Sequence, residues 1–176
     1  APWAELFRSG NSVTGIFGVA LGSILASQGI PSGDFAIITA LHCLSVMTFM
    51  FSWNALNDYM DIEIDRINRP DRPLPSGEIS EVAASRGIIS TAVLSASFLI
   101  VAAYVSHSGE IGLDGWLPSL AIWVMALLLL FNYESPSKLS FRMKDRGLPG
   151  NLAISMSVGL VIIFGAASVS DPLDQR

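Results

Sequence analysis

The 176-residue chain is 51% hydrophobic, carries only 14% charged residues and has a mean hydropathy of +0.54. Soluble domains carry roughly 25% charged residues, so this composition excludes an ordinary water-soluble domain. The formal net charge of −5 is a modest acidic excess. The chain also lacks a basic patch interleaved with aromatic residues of the kind that single-strand binders use, so no nucleic-acid partner is expected.

Five apolar segments follow one another along the chain, and each approaches the ~20 residues that a helix needs to cross a bilayer core about 30 Å thick. They lie at roughly 11–28, 35–53, 83–105, 113–131 and 151–169. Because backbone groups in lipid must be satisfied internally, these segments are predicted to be helices. The expected fold is an all-α, polytopic transmembrane bundle of about five spans, with residues 1–176 as a single membrane domain.

The placement of basic residues predicts how the chain is oriented. Nine of the ten Lys and Arg residues precede the first span or lie in and beside the segments that join spans two to three and four to five. By the positive-inside rule, the N-terminus and the loops at about 54–82 and 132–150 therefore face the cytoplasm. We expect a multi-pass protein of the cell membrane with both charged loops on that side.

Small and isolated polar residues within the spans are assigned to packing. Gly15, Gly18 and Gly22 make one flank of the first span small, which predicts close contact with another helix. His42 lies in the middle of the second span and is interpreted as structural rather than metal-binding.

The acidic segment "NALNDYMDIEID" directly follows the second apolar run. If it continues that helix at about 100° per residue, its carboxylates and amides form a stripe about 60° wide, with Glu63 on the opposite face. The stripe contains Asn54, Asp58, Asp61 and Asp65, with Asn57 as its immediate neighbour. Stacked aspartates repel one another and are costly near a membrane without a cation. Oxygen-only ligands suit a hard cation, and Mg²⁺ fits best because it leaves positions for water and phosphate.

Arginines follow the stripe in a proline-rich loop. The prolines end the helix and stiffen the chain, and the arginines are expected beside the acids. The residues are Pro70, Pro73 and Pro75 with Arg66, Arg69 and Arg72. Arginine is the usual planar partner of phosphate, so the segment predicts a metal–diphosphate site. The alternative is a solvated juxtamembrane loop with internal salt bridges.

These motifs resemble those of a known family. "NDYMDIEID" matches the NDxxDxxxD signature of the UbiA-type intramembrane prenyltransferases, and "INRPDRPLPSGEIS" is similar to the loop that follows it there. "FRSGNSVTGIFGVALG" resembles the family's first span, with Arg8-Ser9-Gly10-Asn11 in place of its Arg-Pro-x-Asn. "NYESPSKLSFRMKDRGLPGN" resembles its Tyr…Lys…Gly-x-x-Gly-Asn segment. The resemblance covers essentially the whole chain.

The resemblance implies a function and a set of site residues. In this family the first acidic motif holds Mg²⁺ on an isoprenyl diphosphate, and a lipid or aromatic acceptor is prenylated within the surrounding membrane lipids. The implied metal ligands are Asn57, Asp58, Asp61 and Asp65, of which Asp61 and Asp65 are taken as catalytic. The implied substrate-binding residues are Asn11, Arg72, Tyr133 and Lys144.

One family feature is missing from the chain. The family carries a second aspartate-rich motif after span six, whereas Asp171 and Asp174 fall on the opposite side of the predicted topology. The chain is therefore interpreted as the N-terminal part of a bundle of about nine spans, inactive alone. A homo-oligomer that completes the site is the alternative.

Alternatives remain for both the acceptor substrate and the class of protein. The loop is most similar to that of the archaeal geranylgeranylglyceryl phosphate geranylgeranyltransferases, which implies geranylgeranyl transfer to a glycerol hydroxyl in ether-lipid synthesis. The similar loop of the (bacterio)chlorophyll synthases keeps a chlorophyllide, or an aromatic or quinone precursor, as an alternative acceptor.

A membrane scaffold or carrier is an alternative class of protein, and it would tolerate Asp61→Ala or Asp65→Ala. A CDP-alcohol phosphotransferase would show a different signature, and a transporter would place its acids near the midplane.

Overall fold

The computed structural model describes residues 1–109, 111–134 and 147–170, and this part of the chain folds into seven α-helices without a β-strand. The helices are α1 (Pro2–Leu6), α2 (Ser9–Ser27), α3 (Gly33–Met60), α4 (Ile62–Asn68), α5 (Glu81–Ser108), α6 (Gly112–Glu134) and α7 (Leu148–Ala167). Five of them, α2, α3, α5, α6 and α7, are long and apolar enough to cross a membrane. The predicted all-α, polytopic fold with five spans is confirmed.

The helix ends agree with the predicted spans to within a few residues, with one informative exception. α3 continues past the predicted end at residue 53 to Met60, into the acidic segment. No glycine or proline occurs between Gly33 and Pro70, so nothing in the backbone chemistry ends the helix where the apolar run ends. The acidic motif is therefore presented on a helix.

The chain divides into two compact units, Ala1–Ile16 with Leu44–Phe98, and Phe17–Cys43 with Leu99–Arg176. In the first unit, a buried apolar cluster joins α1, the end of α3, the loop after α4 and the start of α5. Its residues are Leu6, Ala55, Leu74, Ile79 and Ala84. This cluster fixes the N-terminal segment and the proline-rich loop against the end of α3 that bears the acids.

Serine hydroxyls join α3 to α5 within the first unit. Ser45 Oγ donates to the Ser95 carbonyl at 3.0 Å, and Ser95 Oγ donates back to the Ser45 carbonyl at 2.9 Å. Ser52 Oγ donates to the Ile88 carbonyl at 2.9 Å. Small side chains allow this close approach. Within a membrane, the hydrophobic effect does not favour helix–helix contact over helix–lipid contact, so these hydrogen bonds help to hold the two helices together.

The second unit contains a glycine-mediated contact between α2 and α7. A Cβ on Gly22 would lie 1.9 Å from the Ile162 carbonyl oxygen, and one on Gly165 would lie 2.1 Å from the Val19 carbonyl oxygen. The two backbones therefore touch, and no larger residue fits at either position. The predicted role of Gly22 in close helix packing is confirmed.

His42 forms the buried polar centre of the second unit. Its Nε2 lies 2.7 Å from Ser119 Oγ, its Nδ1 lies 2.8 Å from the Ile38 carbonyl, and its ring lies 4.3 Å from that of Phe164. The side chain thus ties α3 to α6 and α7. The structural interpretation of His42 is confirmed.

Candidate functional site

The acidic motif crosses a one-residue break between α3 and α4. Asp61 occupies the break, with φ −91° and ψ 7°. The backbone N–H of Asp61 donates to Asn57 at 3.1 Å, and that of Asp65 donates to Asp61 at 2.8 Å, so the four-residue spacing continues through it. The helical phase on which the predicted stripe depends is therefore kept.

The acids differ in exposure as that phase predicts. The side chains of Asp58 and Asp65 are only 9% and 8% exposed, whereas that of Glu63 is 77% exposed. Asn57 and Asp61 are half-buried. The predicted separation of the stripe from Glu63 is confirmed.

Arg72 bridges two of the aspartates. Its Nη1 donates to Asp65 Oδ2 at 2.8 Å and to Asp58 Oδ1 at 3.3 Å. The adjoining Pro73 and Leu74 are buried, which fixes the backbone of the loop beside the motif. Two aspartates of the stripe therefore share one guanidinium nitrogen.

Arg8 is a second counter-ion of the cluster. Its Nη2 donates to Asp58 Oδ1 at 2.6 Å and lies 3.5 Å from Asn57 Oδ1. The junction of α1 and α2 aims it: Arg8 has φ 47°, the preceding Phe7 carbonyl accepts from Asn54 Nδ2 at 3.0 Å, and the ring of Phe7 stacks on Phe51. Arg8 was missing from the predicted site residues. The available signal was its place in "RSGN", which resembles the family's Arg-Pro-x-Asn.

The other two arginines of the loop behave differently from the expectation. Arg66 pairs with Glu63 on the exposed face of α4. It also pairs with Glu81 at the start of α5, where its Nη2 lies 3.1 Å from Glu81 Oε1. Arg69 is exposed. Only Arg72 of the three contacts an acid of the stripe within the described residues, because α4 turns Arg66 toward Glu63.

The remaining predicted residues are spread over the chain. Asn11 lies exposed on α2, near Arg8, whose carbonyl accepts from the Asn11 backbone N–H at 2.8 Å. Tyr133 is half-buried near the end of α6, in the second unit. Lys144 lies outside the described residues. The structure thus joins Asn57, Asp58, Asp65 and Arg72 through direct contacts with one another or with Arg8, and their roles stay predictions.

The donor chemistry fits Mg²⁺ without forming a closed cage. In residues 1–109, 111–134 and 147–170, no group of three or more His, Cys, Asp or Glu side chains is placed to hold a metal ion. Mg²⁺ is usually bound through only one or two carboxylates, with water and substrate phosphate completing its octahedron. Two buried aspartates that share one cationic nitrogen, with the Asn57 amide oxygen beside Arg8, match that requirement.

The fold and the site define an all-helical membrane protein whose acidic motif is paired with arginines at the end of its second long helix. The model of the UbiA prenyltransferase family matches residues 15–175. The chain belongs to this family.

Several similar proteins share one name. The chain is 34% identical to the digeranylgeranylglyceryl phosphate synthase of Methanobrevibacter smithii, over 98% of the chain and 54% of that protein. It is 37% identical to the protein of the same name from Haloquadratum walsbyi, over 94% of the chain and 50% of that protein. A solved structure described under "biosynthesis of Digeranylgeranylglyceryl phosphate synthase in membranes" is 29% identical, with a TM-score of 0.70 over 98% and 54% of the two chains. The chain spans about half the length of the curated relatives it matches.

Proposed function

We propose that the protein transfers a geranylgeranyl group from its diphosphate to the hydroxyl of geranylgeranylglyceryl phosphate, in a Mg²⁺-dependent step of ether-lipid synthesis. The observation that carries the proposal is the pair of buried aspartates, Asp58 and Asp65, joined by Arg72 within the family's acidic motif. Membership of the UbiA prenyltransferase family and the names of the relatives support prenyl transfer and this acceptor.

The site residues divide into metal-holding and phosphate-holding groups. Asn57, Asp58, Asp61 and Asp65 would hold the metal, with Asp61 and Asp65 as the acids on which catalysis depends. When bound, Mg²⁺ supplies positive charge that stabilises the departing diphosphate. Arg72, with Lys144 as proposed from the family, would bind phosphate oxygens as negative charge builds on them.

The chain's own residues also set the conditions for transfer. The allylic C–O bond breaks with its electrons passing to the diphosphate oxygen, and the acceptor oxygen then bonds to the carbon as its proton passes to the released diphosphate. Water must be excluded, because it would compete as an acceptor. Burial of Asp58 and Asp65 indicates that the acidic end of the site is already shielded from bulk water. From the family resemblance, Asn11 and Tyr133 are each proposed as substrate-binding residues.

The positive-inside pattern supports an orientation with the acidic motif and its arginines on the cytoplasmic side of the cell membrane. An isoprenyl diphosphate carries a charged diphosphate at one end and an apolar isoprenoid chain at the other. A site at a helix end places the diphosphate near the aqueous side and leaves the isoprenoid tail in the apolar layer.

The proposal is tested by incubating the full-length protein with labelled geranylgeranyl diphosphate, Mg²⁺ and one acceptor at a time. We expect transfer to geranylgeranylglyceryl phosphate. Transfer to 4-hydroxybenzoate or a chlorophyllide instead would overturn the acceptor. Asp65→Asn is expected to slow transfer at least about 100-fold, the scale of losing a main charge-stabilising group. Glu63→Gln, on the exposed face of the same helix, is the matched control and is expected to keep normal transfer.

A further inference from the structure

The buried aspartates are paired with cations that the chain itself supplies. Asp58 Oδ1 accepts from both Arg8 and Arg72, and Asp65 Oδ2 accepts from Arg72 alone among the described residues. Two nearly buried carboxylates without counter-ions would carry a large desolvation penalty and would repel each other. Arg8 and Arg72 together therefore balance the charge of the pair that is proposed to hold a divalent cation.

Arg72 and a divalent cation compete for the same oxygens. The Nη1 of Arg72 lies 2.8 Å from Asp65 and 3.3 Å from Asp58, which is the region that a cation shared by the two acids would occupy. Like charges at contact distance repel strongly in a partly buried site. Arg72 and a divalent cation therefore cannot both bridge Asp58 Oδ1 and Asp65 Oδ2 at once.

A diphosphate offers Arg72 an equivalent partner. Guanidinium groups bind phosphate oxygens with the same planar, charge-assisted geometry that they use for carboxylates. The turn that bears Arg72 is held by buried Pro73 and Leu74, whereas the side chain of Arg72 is itself 26% exposed. Rotation of the side chain alone can therefore carry the guanidinium from the acids to a phosphate without moving the loop.

The residue before Arg8 is anchored to α3, and Arg8 makes the shorter of the two arginine contacts to Asp58. Its contact to Asp58 Oδ1 is 2.6 Å, against 3.3 Å for Arg72, and the preceding residue is anchored to α3 by the Asn54 amide and the Phe51 ring. A carboxylate has two oxygens, so Asp58 can keep Arg8 on one of them and still bind a metal. The two arginines are thus suited to different tasks.

We propose that Arg72 is an exchanging counter-ion: it holds Asp58 and Asp65 in the free protein and moves to the diphosphate when a divalent cation takes the carboxylates. The proposal rests on the proposed function, because it takes a metal–diphosphate as the ligand. It implies that Arg72 opposes binding of the metal alone and favours binding of the metal together with diphosphate. The cation and the diphosphate therefore bind cooperatively.

The test measures binding of Mn²⁺, a paramagnetic substitute for Mg²⁺, to the full-length protein in detergent micelles by electron paramagnetic resonance, without diphosphate. We compare the unaltered protein with Arg72→Gln and with Arg69→Gln, which removes the same charge from an exposed position on the same loop. Arg72→Gln is expected to bind Mn²⁺ at least about threefold more tightly than Arg69→Gln, because a contacting cation opposes the metal far more than a solvated one. Equal or weaker Mn²⁺ binding by Arg72→Gln would overturn the proposal.

A second titration measures the other half of the exchange. Inorganic pyrophosphate is titrated calorimetrically in excess Mg²⁺, and Arg72→Gln is expected to weaken its binding at least about tenfold relative to Arg69→Gln, the scale of one lost charge-assisted contact. Arg72→Lys keeps the charge and is expected to fall between them. Unchanged pyrophosphate binding by Arg72→Gln would contradict the exchange.

The outcomes separate this proposal from the proposed function. Mn²⁺ binding that Asp65→Asn abolishes but Arg72→Gln leaves unchanged removes the exchange and leaves the metal site standing. Absence of saturable Mn²⁺ binding in every form removes the metal site and the exchange with it. Normal exchange without prenyl transfer to any acceptor removes only the proposed reaction.

Discussion

Arg8 shows how a single residue depends on distant parts of the chain for its role. It contacts Asp58, 50 positions away, only because the α1–α2 junction holds it at φ 47° and the Asn54 amide fixes the carbonyl before it. A positive φ is strained for an arginine and persists when surrounding contacts determine it. We infer that Arg8 positions Asp58.

Substitution of Arg8 tests this role. Arg8→Gln is expected to lower kcat for prenyl transfer about tenfold or more, with the Mg²⁺ requirement raised, because residues that orient metal ligands commonly matter on that scale. Arg8→Lys, which keeps a charge but loses the fork of donors, is expected to recover part of the loss. Arg86→Gln, an exposed arginine on α5, is the control. Equal kinetics for Arg8→Gln and Arg86→Gln would show that Asp58 does not need Arg8.

The sequence predicted the acids of the site better than their partners. The stripe follows from helical phase, a local property that the i→i−4 hydrogen bonds preserve through Asp61. Arg8 could not be derived in this way, because its contact with Asp58 depends on tertiary packing between α1 and α3. The phase of α4 could have indicated that Arg66 turns toward Glu63, three residues before it.

At the scale of the helices, the contact of α2 with α7 depends on the absence of side chains. Gly165 touches the Val19 backbone, whereas a Cβ on Gly159 of the same helix would meet no atom within 4 Å. Gly159→Ala is therefore expected to be neutral or slightly stabilising, since alanine favours helix more than glycine. The two positions form a matched pair.

Gly165→Ala is expected to destabilise the protein by about 1–3 kcal/mol, the usual cost of forcing extra volume into a packed contact. The measurement is the thermal unfolding midpoint in detergent, followed by tryptophan fluorescence. A lower midpoint for Gly165→Ala than for Gly159→Ala is the expected result. Equal midpoints would show that α2 and α7 separate without cost.

The element boundaries show where sequence patterns stop being informative. Hydropathy located all five long helices, because crossing a bilayer demands length and apolar composition. It ended the second span at residue 53, whereas α3 runs to Met60, because hydropathy measures lipid preference and not helix formation. The hydrogen bond between His42 and Ser119 could not be predicted either, since it joins helices far apart in sequence.

At the scale of the whole molecule, orientation in the membrane is still a prediction. It is tested by replacing Cys43 with serine and adding one cysteine at Ser76, in the loop before α5, or at Ser32, in the loop before α3; both serines are exposed. We expect a membrane-impermeant maleimide to label Ser76→Cys only from the cytoplasmic side and Ser32→Cys only from the outer side. The reverse pattern would invert the topology.

The chain covers only about half the length of its relatives, and this determines which protein the proposed activity refers to. The chain covers 54% of the Methanobrevibacter smithii protein and 50% of the Haloquadratum walsbyi protein, so the activity proposed here concerns the whole protein. The acidic motif, Arg8 and Arg72 all lie in the first compact unit of this chain. Their contacts therefore make a defined prediction about where the metal binds.

The most direct measurement is anomalous diffraction from crystals of the full-length protein grown with Mn²⁺ and the unreactive geranylgeranyl thiodiphosphate. We expect an anomalous peak about 2.1 Å from carboxylate oxygens among Asp58, Asp61 and Asp65, with a diphosphate oxygen on the same ion. A peak remote from these aspartates, with Asp58 and Asp65 still held by Arg72, would contradict it.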